Sequence, residues 1–463
     1  MRAAHFLQRI VFIWLTSLAL AGRSQEKRPN LVFILADDLR WNTLGCAGDT
    51  IIQTPNMDRL AAQGVRFNNC FATTAICCVS RASIITGQYE RRHAIPNFSK
   101  PLTARQWSQT YPALLRQAGY RTGFVGKFGV GGKNAIAANK NDFDFWRGVP
   151  GQGGKFFIDP NDPTHTHATA RFGNQALEFL NDGSTNQPFC LSISFNAPHA
   201  RDGEAREFQP DLREENLYVT NVIPHSPTAN RAFFEKLQPF VQRSEGHNRW
   251  TNRFSTDEKF QRTMRDYYRL VTGIDREVGR IRDELARRHL DENTVIIFTS
   301  DNGWFAGDRE LADKWLMYEE SIRLPLIICD PRLPVATQGK CVDAIALNVD
   351  YAQTLLDFAA IAAPKEMQGR SLVPLLTNAP PADWRKEFFY EHHYAPAIIP
   401  PSEGIRTERW SYIHWLPPNP EVEELYDLAS DPLQAHNLAD DPKKAAMLAD
   451  LRARWRDYQR SLK

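Results

Sequence analysis

Cysteine is scarce in this chain: seven residues in 463, at positions 46, 70, 77, 78, 190, 329 and 341. So thin a set is no disulfide framework. An excess of charge of either sign is also missing. Fifty-six Lys and Arg against 54 Asp and Glu leave a net charge of +2. That argues against a protein that coats nucleic acid, and any anion site must be a local cluster of cations. There are no internal repeats and no low-complexity tract. Beyond residue 21 no apolar run approaches the roughly 20 residues that span a bilayer, so no transmembrane anchor is expected.

Charged residues at 24% and hydrophobic residues at 42% are ordinary for a folded globular protein. The length predicts one large α/β domain plus a smaller one, or two or three ordinary domains. At the N-terminus, Arg2 and Arg9 flank and precede a short apolar stretch over residues 10–21, and Ala19-Leu20-Ala21 gives small residues at a cleavage-like spacing. This reads as a signal peptide over residues 1–24, hence a secreted or periplasmic protein; an uncleaved anchor is the alternative.

Leu31-Val32-Phe33-Ile34-Leu35-Ala36 is continuously apolar, as are runs at 189–195, 294–299 and 324–329. Such runs read as strands buried on both faces, as in a parallel sheet. Between them lie helical signals. Thr54-Pro55 opens one that closes at Gly64. Leu270, Ile274, Val278, Ile281 and Leu285 form the apolar face of another. The alternation predicts a large wound mixed sheet flanked by helices. Residues 200–260 are polar and aperiodic and read as a surface excursion that shapes a cleft. The chain becomes proline-rich from about 376 to 404, which places a boundary between a main domain, 25–375, and a C-terminal α+β subdomain, 376–463. That subdomain carries a strand-like Trp410-Ser411-Tyr412-Ile413-His414-Trp415 and a final helix with Leu448, Leu451, Trp455 and Tyr458 at helical spacing.

Asp37-Asp38 follows the first strand directly, and Asp301-Asn302 follows the strand at 294–299. Ligands of open α/β sheets bind at the carboxyl ends of strands. Three carboxylates and an amide oxygen brought there suit a hard cation, Ca²⁺ or Mg²⁺, rather than zinc. Cys77-Cys78-Val79-Ser80-Arg81 precedes a run that can open a helix, whose free N–H groups favour an anion. Lys127 sits in a glycine-rich bend after a strand. His199, in Asn196-Ala197-Pro198-His199, ends another strand and can donate to an anion or act as a proton donor. Lys314 follows the Asp301-Asn302 loop.

The order and content of these segments resemble the type I, formylglycine-dependent sulfatases of the alkaline-phosphatase-like superfamily. The cysteine motif, with Thr86-Gly87 after it, carries most of the resemblance. Arg28-Pro29-Asn30, Thr54-Pro55-Asn56, Gly126-Lys127, Ser300-Asp301-Asn302-Gly303, Tyr318-Glu319-Glu320-Ser321 and Leu425-Tyr426-Asp427 extend it from residue 28 to about 438. The likeness is nearest to glucosamine-6-sulfatases and marine bacterial polysaccharide sulfatases. It implies hydrolysis of sulfate esters on a sulfated carbohydrate, and a formylglycine made from Cys77 by a formylglycine-generating enzyme or its equivalent. It also implies a Ca²⁺ held by Asp37, Asp38, Asp301 and Asn302, and catalytic roles for Cys77, Arg81, Lys127, His199 and Lys314. Two departures stand out: Val79 replaces a usual proline, and Gly129 stands where the family often has a histidine, which His93, His165 or His167 would have to replace. His93 and Arg406 are the candidate substrate-binding residues, with His392-His393 nearby. The rival readings are a phosphonate or phosphate monoester hydrolase of the same superfamily and a non-catalytic glycan-binding protein with a degenerate site.

Overall fold

The computed structural model describes residues 28–132, 140–151, 153–157, 166–183, 187–377, 380–394 and 398–463. The signal-like segment and His165 lie outside them. No helix among the described residues is long and apolar enough to cross a membrane, and the seven cysteines are free thiols.

The strands in chain order are β1 (Asn30–Ala36), β2 (Val65–Phe71), β3 (Arg121–Lys127), β4 (Phe145–Val149), β5 (Phe189–Ser194), β6 (Thr294–Ser300), β7 (Phe305–Ala306), β8 (Ala312–Asp313), β9 (Arg323–Cys329), β10 (Lys340–Val342), β11 (Ala346–Leu347), β12 (Glu387–His392), β13 (Ser402–Thr407), β14 (Trp410–Trp415) and β15 (Glu423–Asp427). The main sheet has the order β10-β2-β9-β6-β1-β5-β3-β4, with β11 also on β2. β1 is buried at every position because both faces are covered, and alternate residues serve the two layers. Val32 and Ile34 pack with α1 (Pro55–Gln63), α3 (Ala168–Asn181) and α4 (Asp257–Arg287). Leu31, Phe33 and Leu35 pack with α2 (Cys77–Thr86) and α5 (Asp350–Phe358).

β1 is parallel to β5 and β6, and β3 is parallel to β4 and β5. β9 runs antiparallel to both β6 and β2, which departs from the parallel strand expected at 324–329. The segment between β6 and β9 stays at one sheet edge, where it makes the small β7–β8 hairpin and short helical turns at Asp308–Glu310 and Glu319–Ile322, so β9 must return the way β6 came. The carboxyl ends of β1, β2, β3, β5 and β6 therefore share one edge.

The second sheet, β12-β13-β14-β15, is antiparallel. One face meets α6 (Ala445–Ser461) through Ile405, Tyr412, Leu425, Leu448 and Leu451. The other meets the main domain through Phe71, Tyr318, Phe388, Tyr390 and Trp415. The architecture is a wound mixed sheet with flanking helices and an antiparallel C-terminal sheet. The excursion at 200–260 contains a 3-10 turn and three short α-helices, of which the last, Glu245–Arg253, precedes α4.

Candidate active site

Each strand end on the shared edge delivers a polar group. The ladder continues beyond the strands: Asp37 N–H donates to Ala197 O at 3.1 Å and Asp301 N–H to Ala36 O at 3.2 Å. β3 ends on Lys127, and β5 leads to His199. β2 leads into α2, whose first residue is Cys77; Ile76 caps it in extended conformation without a side-chain acceptor. The first-turn N–H groups therefore have no intrahelical partner and bias this buried edge toward negative charge.

Cys77 is only 1% exposed, with Sγ 3.3 Å from Asp37 Oδ1 and 3.9 Å from Asp38 Oδ1. The other Asp37 oxygen accepts from Lys127 Nζ and lies 3.4 Å from Arg81 Nη2. Arg81 is held on three sides: Nε donates to Asp301 Oδ2 at 2.8 Å, and Nη1 to Lys127 O at 2.8 Å and to Ser194 Oγ. Asp38 Oδ2 accepts from Lys314 Nζ at 2.6 Å and lies 3.5 Å from His199 Nε2, while Asn302 Nδ2 donates to Asp38 Oδ1 at 2.5 Å. The structure thus brings together Asp37, Asp38, Cys77, Arg81, Lys127, His199, Asp301, Asn302 and Lys314.

Burial alone would raise the pKa of Asp37, but Lys127 and then Arg81 outweigh it and hold the carboxyl below its usual range. Burial, reinforced by Asp37, pushes Asp301 up to about 7 against the pull of Arg81. Burial and then Asp37 raise the Cys77 thiol, so the unmodified thiol is protonated and a poor nucleophile. Burial followed by Lys314 lowers His199; its Nδ1 sits 2.6 Å from the Ala200 carbonyl, which can only accept, so Nδ1 carries the proton and Nε2 faces Asp38.

The residues also fit a hard cation. Asn302 Oδ1 is buried and accepts no hydrogen bond among the described residues. With the carboxylates of Asp37, Asp38 and Asp301 it forms an all-oxygen donor set. Ligating atoms of Asp37, Asp38, Cys77 and His199 lie within 4.8 Å of one another; Asp301 turns its oxygens to Arg81 and to the Asp38 N–H.

Lys314 reaches this group from an unusual backbone. Asp313 and Trp315 have φ of 68° and 82°, left-handed values that cost about 1–3 kcal/mol for each non-glycine residue. Trp315 is tied at both ends of its peptide: its N–H donates to Ala75 O at 3.2 Å, and Tyr390 Oη donates to its carbonyl at 2.6 Å. A cleft of about 180 Å³ adjoins Cys77, His199 and Lys314. Its other walls include Phe98, Trp315 and Tyr394, together with Asp202, Glu245 and Arg249 from the excursion. Aromatic walls with a few polar groups are the usual build of a site for a small organic ligand.

The two expected substrate-binding residues are elsewhere. His93 is fully buried; its Nδ1 accepts the Ile95 N–H at 3.0 Å and its Nε2 is 3.1 Å from Ser83 Oγ. Both ring nitrogens are used, and burial pushes the ring down to about 3, so His93 is a neutral core residue and takes no part in substrate binding. Arg406 is paired with both Glu319 oxygens at 3.0 and 3.2 Å and lies over the Phe71 ring. It joins the two sheets and has no arm free for a ligand. His393 pairs with Glu403 at 2.9 Å, and His392 is buried. Nor does His167 replace the missing family histidine: it stacks on Phe156 and contacts Gln209 O at 2.9 Å. What the C-terminal part brings to the cleft is Tyr394, Ile398 and Ile399. Sequence reasoning also missed Ser194, which accepts from Arg81, and Asn348, which anchors Ser80 at 2.9 Å; neither lies in a recognisable motif.

Comparison with known proteins agrees with this geometry. Residues 29–361 match the sulfatase family, and residues 307–461 match the C-terminal region of N-sulphoglucosamine sulphohydrolase. An N-acetylglucosamine-6-O-sulfatase of Bacteroides thetaiotaomicron is 31% identical, over 92% of this chain and 85% of its own. A protein solved in complex with its substrate, D-glucosamine-2-N,6-O-disulfate, superposes with a TM-score of 0.79 at 29% identity, covering 94% of this chain and 98% of that one. The phosphonate monoester hydrolase of Agrobacterium radiobacter also gives 0.79, over 94% and 96% of the two chains, but at 22% identity it shares the fold alone. The chain belongs to the sulfatase family, and its activity is that of a sulfuric ester hydrolase.

Proposed function

We propose that the enzyme desulfates a sulfated glycan, with 6-O-sulfated glucosamine units as the substrate class, using a formylglycine made from Cys77 and a bound Ca²⁺. One observation carries the reading: Cys77 stands at the start of α2, with Sγ 3.3 Å from Asp37, inside a ring of Arg81, Lys127, Lys314 and His199. The substrate class is supported by the glucosamine-directed relative and by the neighbour solved with a sulfated glucosamine.

A sulfate ester resists hydrolysis because a poor leaving alkoxide must depart from an anionic centre. Asp37, Asp38, Asp301 and Asn302 would hold Ca²⁺, which supplies Lewis acidity, while the hydrated formylglycine supplies a hydroxyl nucleophile and a second hydroxyl for release of sulfate. The chain's own groups do the rest. Lys127, Lys314 and Arg81 are fixed before substrate arrives and stabilise charge at the sulfuryl oxygens. The open N–H groups of α2 add a dipole of the same sense. His199, held with its Nδ1–H on the Ala200 carbonyl, presents Nε2 to the substrate; Nε2 first takes up a proton from solvent, and the imidazolium so formed gives that proton to the departing alcohol oxygen. Trp315, Tyr394 and Phe98 supply apolar walls for a sugar ring. The catalytic part spans 25–375, and the subdomain over 376–463 closes the cleft.

Export to the periplasm or the medium and maturation by a formylglycine-generating enzyme complete the reading; nucleic acid is no part of it. The test is coexpression with such an enzyme, followed by mass measurement of the Cys77 peptide and assay of sulfate release from N-acetylglucosamine-6-sulfate. Aldehyde at position 77 together with turnover is the expected result. Full activity with an unmodified thiol overturns the mechanism, and activity on aryl sulfates but on no glucosamine sulfate overturns the substrate class.

A further inference from the structure

We propose that the Glu245–Arg253 helix is a positioning element for Lys314. Arg249 and Arg253 clamp Asp313 between them and so hold the Asp313-Lys314-Trp315 turn in the left-handed form that directs the Lys314 ammonium to Asp38. The inference rests on the reading of Lys314 as a sulfate-contacting cation.

The Asp313 carboxylate is 1% exposed and is divided between the two arginines: Oδ1 accepts from Arg253 Nη1 and Oδ2 from Arg249 Nη1, each at 2.7 Å. The arginines are fixed in their turn. Arg249 Nε donates to Glu245 Oε1 at 2.8 Å, and its Nη1 lies 3.0 Å from Asp202 Oδ2. Arg253 donates from Nη2 to Asp202 Oδ1 at 2.8 Å and from Nε to Glu207 Oε2 at 2.5 Å. Two planar forks locked by surrounding carboxylates form a rigid frame, which a lysine ammonium could not reproduce. Burial alone would raise Asp313, but Arg253 and Arg249 outweigh it and keep it ionised.

The helix also lies against the chain leading into the turn. His247 Nδ1 is 3.0 Å from Glu310 O, and Gly246 comes so close that a Cβ there would sit 3.4 Å from Ala312 O. Without this frame, residue 313 would relax toward negative φ and the peptide plane before Lys314 would turn, with the Ala75 and Tyr390 contacts of Trp315 holding only the far side of the turn. The Arg249 guanidinium lies 5.2 Å from the Trp315 ring centre, so it touches the turn on both sides of Lys314. Arg249 lines the cleft as well, with its Nε engaged by Glu245 and its Nη1 by Asp313 and Asp202.

A double-mutant cycle tests the clamp, with the matured enzyme assayed on a small aryl sulfate and titrated with inorganic sulfate as inhibitor. Lys314→Met alone tests the reading of Lys314: unchanged sulfate affinity and turnover would refute that reading and the clamp built on it. Given a loss there, Arg249→Met should weaken sulfate affinity and kcat/KM on the order of tenfold to a hundredfold, the scale expected of a displaced catalytic group. Arg249→Lys should recover only part of that. In the Lys314→Met background, Arg249→Met should change sulfate affinity by less than about twofold, because its effect passes through Lys314. Equal losses in both backgrounds overturn the clamp while leaving the role of Lys314 intact. A loss confined to the glycan, with the aryl sulfate unaffected, also overturns it and makes Arg249 a substrate contact. Arg249 is 22% exposed on its helix; if the methionine variant does not fold, the lysine variant carries the same cycle.

Discussion

Gly129 lies directly against Arg81: a Cβ at position 129 would sit 2.5 Å from Arg81 Cδ. Gly129 also has φ of 75°, a conformation that side chains resist. The space where the sequence resemblance leads one to expect a histidine is therefore filled by the arginine that ties Cys77's neighbours together. Gly129→His should expel Arg81 and lower activity rather than improve it. Gly129→Ala should cost about 1 kcal/mol from its backbone alone and more from the contact. Thermal unfolding and aryl-sulfate turnover, measured side by side, check both. A gain of activity in the histidine variant would show that Arg81 can move.

Cys77→Ser should leave the fold intact, since the side chains differ by one atom and the buried contact to Asp37 survives. Turnover should fall by roughly 10³-fold or more, as for loss of other nucleophiles, because serine offers no aldehyde for release. Full activity of the serine variant would sink the formylglycine mechanism.

Asp38→Ala and Asp301→Ala should each lose bound calcium and activity together. Elemental analysis of active wild-type enzyme is the direct check. Stoichiometric zinc without calcium would contradict an all-oxygen hard-cation site.

Arg406→Ala should now be a stability mutation. It strips Glu319 of its bidentate partner in a pair whose side chains are 7% and 15% exposed, a loss of about 3–5 kcal/mol for a buried ion pair broken on one side. The urea midpoint should drop, while KM for both aryl and glycan substrates stays unchanged in the folded fraction. A selective rise in KM for the glycan would restore the substrate role withdrawn above.

His393 makes stability depend on alkaline pH. Burial lowers its pKa, but hydrogen bonds to Glu403 and then Glu90 outweigh that and raise it to about 10; Glu391 and Arg91 complete the group. A folded-state value above the unfolded one means that the stabilisation is fully present below about pH 6.5 and is lost as pH rises through 10. The ring is 35% exposed, so solvent screening reduces the effect. Melting temperature should fall between pH 7 and 10, and less steeply in His393→Gln. Parallel profiles for the two proteins would remove His393 as the cause.

The sequence made the strands and their ends legible, because a continuous apolar run is hard to mistake, and Asp37, Asp301 and, a few residues on, His199 follow such runs. The direction of β9 was not legible, since an apolar run looks the same parallel or antiparallel. Arg406 misled because its partner Glu319 lies 87 residues earlier, beyond any local pattern. His93 misled because nothing local to it shows that Ser83 Oγ and the Ile95 N–H take up its two ring nitrogens. The excursion at 200–260 looked featureless because its order comes from paired charges rather than apolar periodicity. No glycine marked the left-handed turn around Lys314.

The depth of Cys77 sets a timetable. Arg81 stands 220 residues ahead of Asp301, and the residues that bury this region, Lys314 and Asn348 among them, come later still. At about 5–20 residues per second, roughly 10–45 s separate the emergence of α2 from that of its partners on β6. Through that interval the partners that bury the thiol in the folded chain have not yet been made, and in the folded chain Cys77 is 1% exposed. For the proposed formylglycine, chemistry on Cys77 would then be a race against the growing chain's own closure, and anything that hurries folding of the first half would shorten the time open to the maturing enzyme.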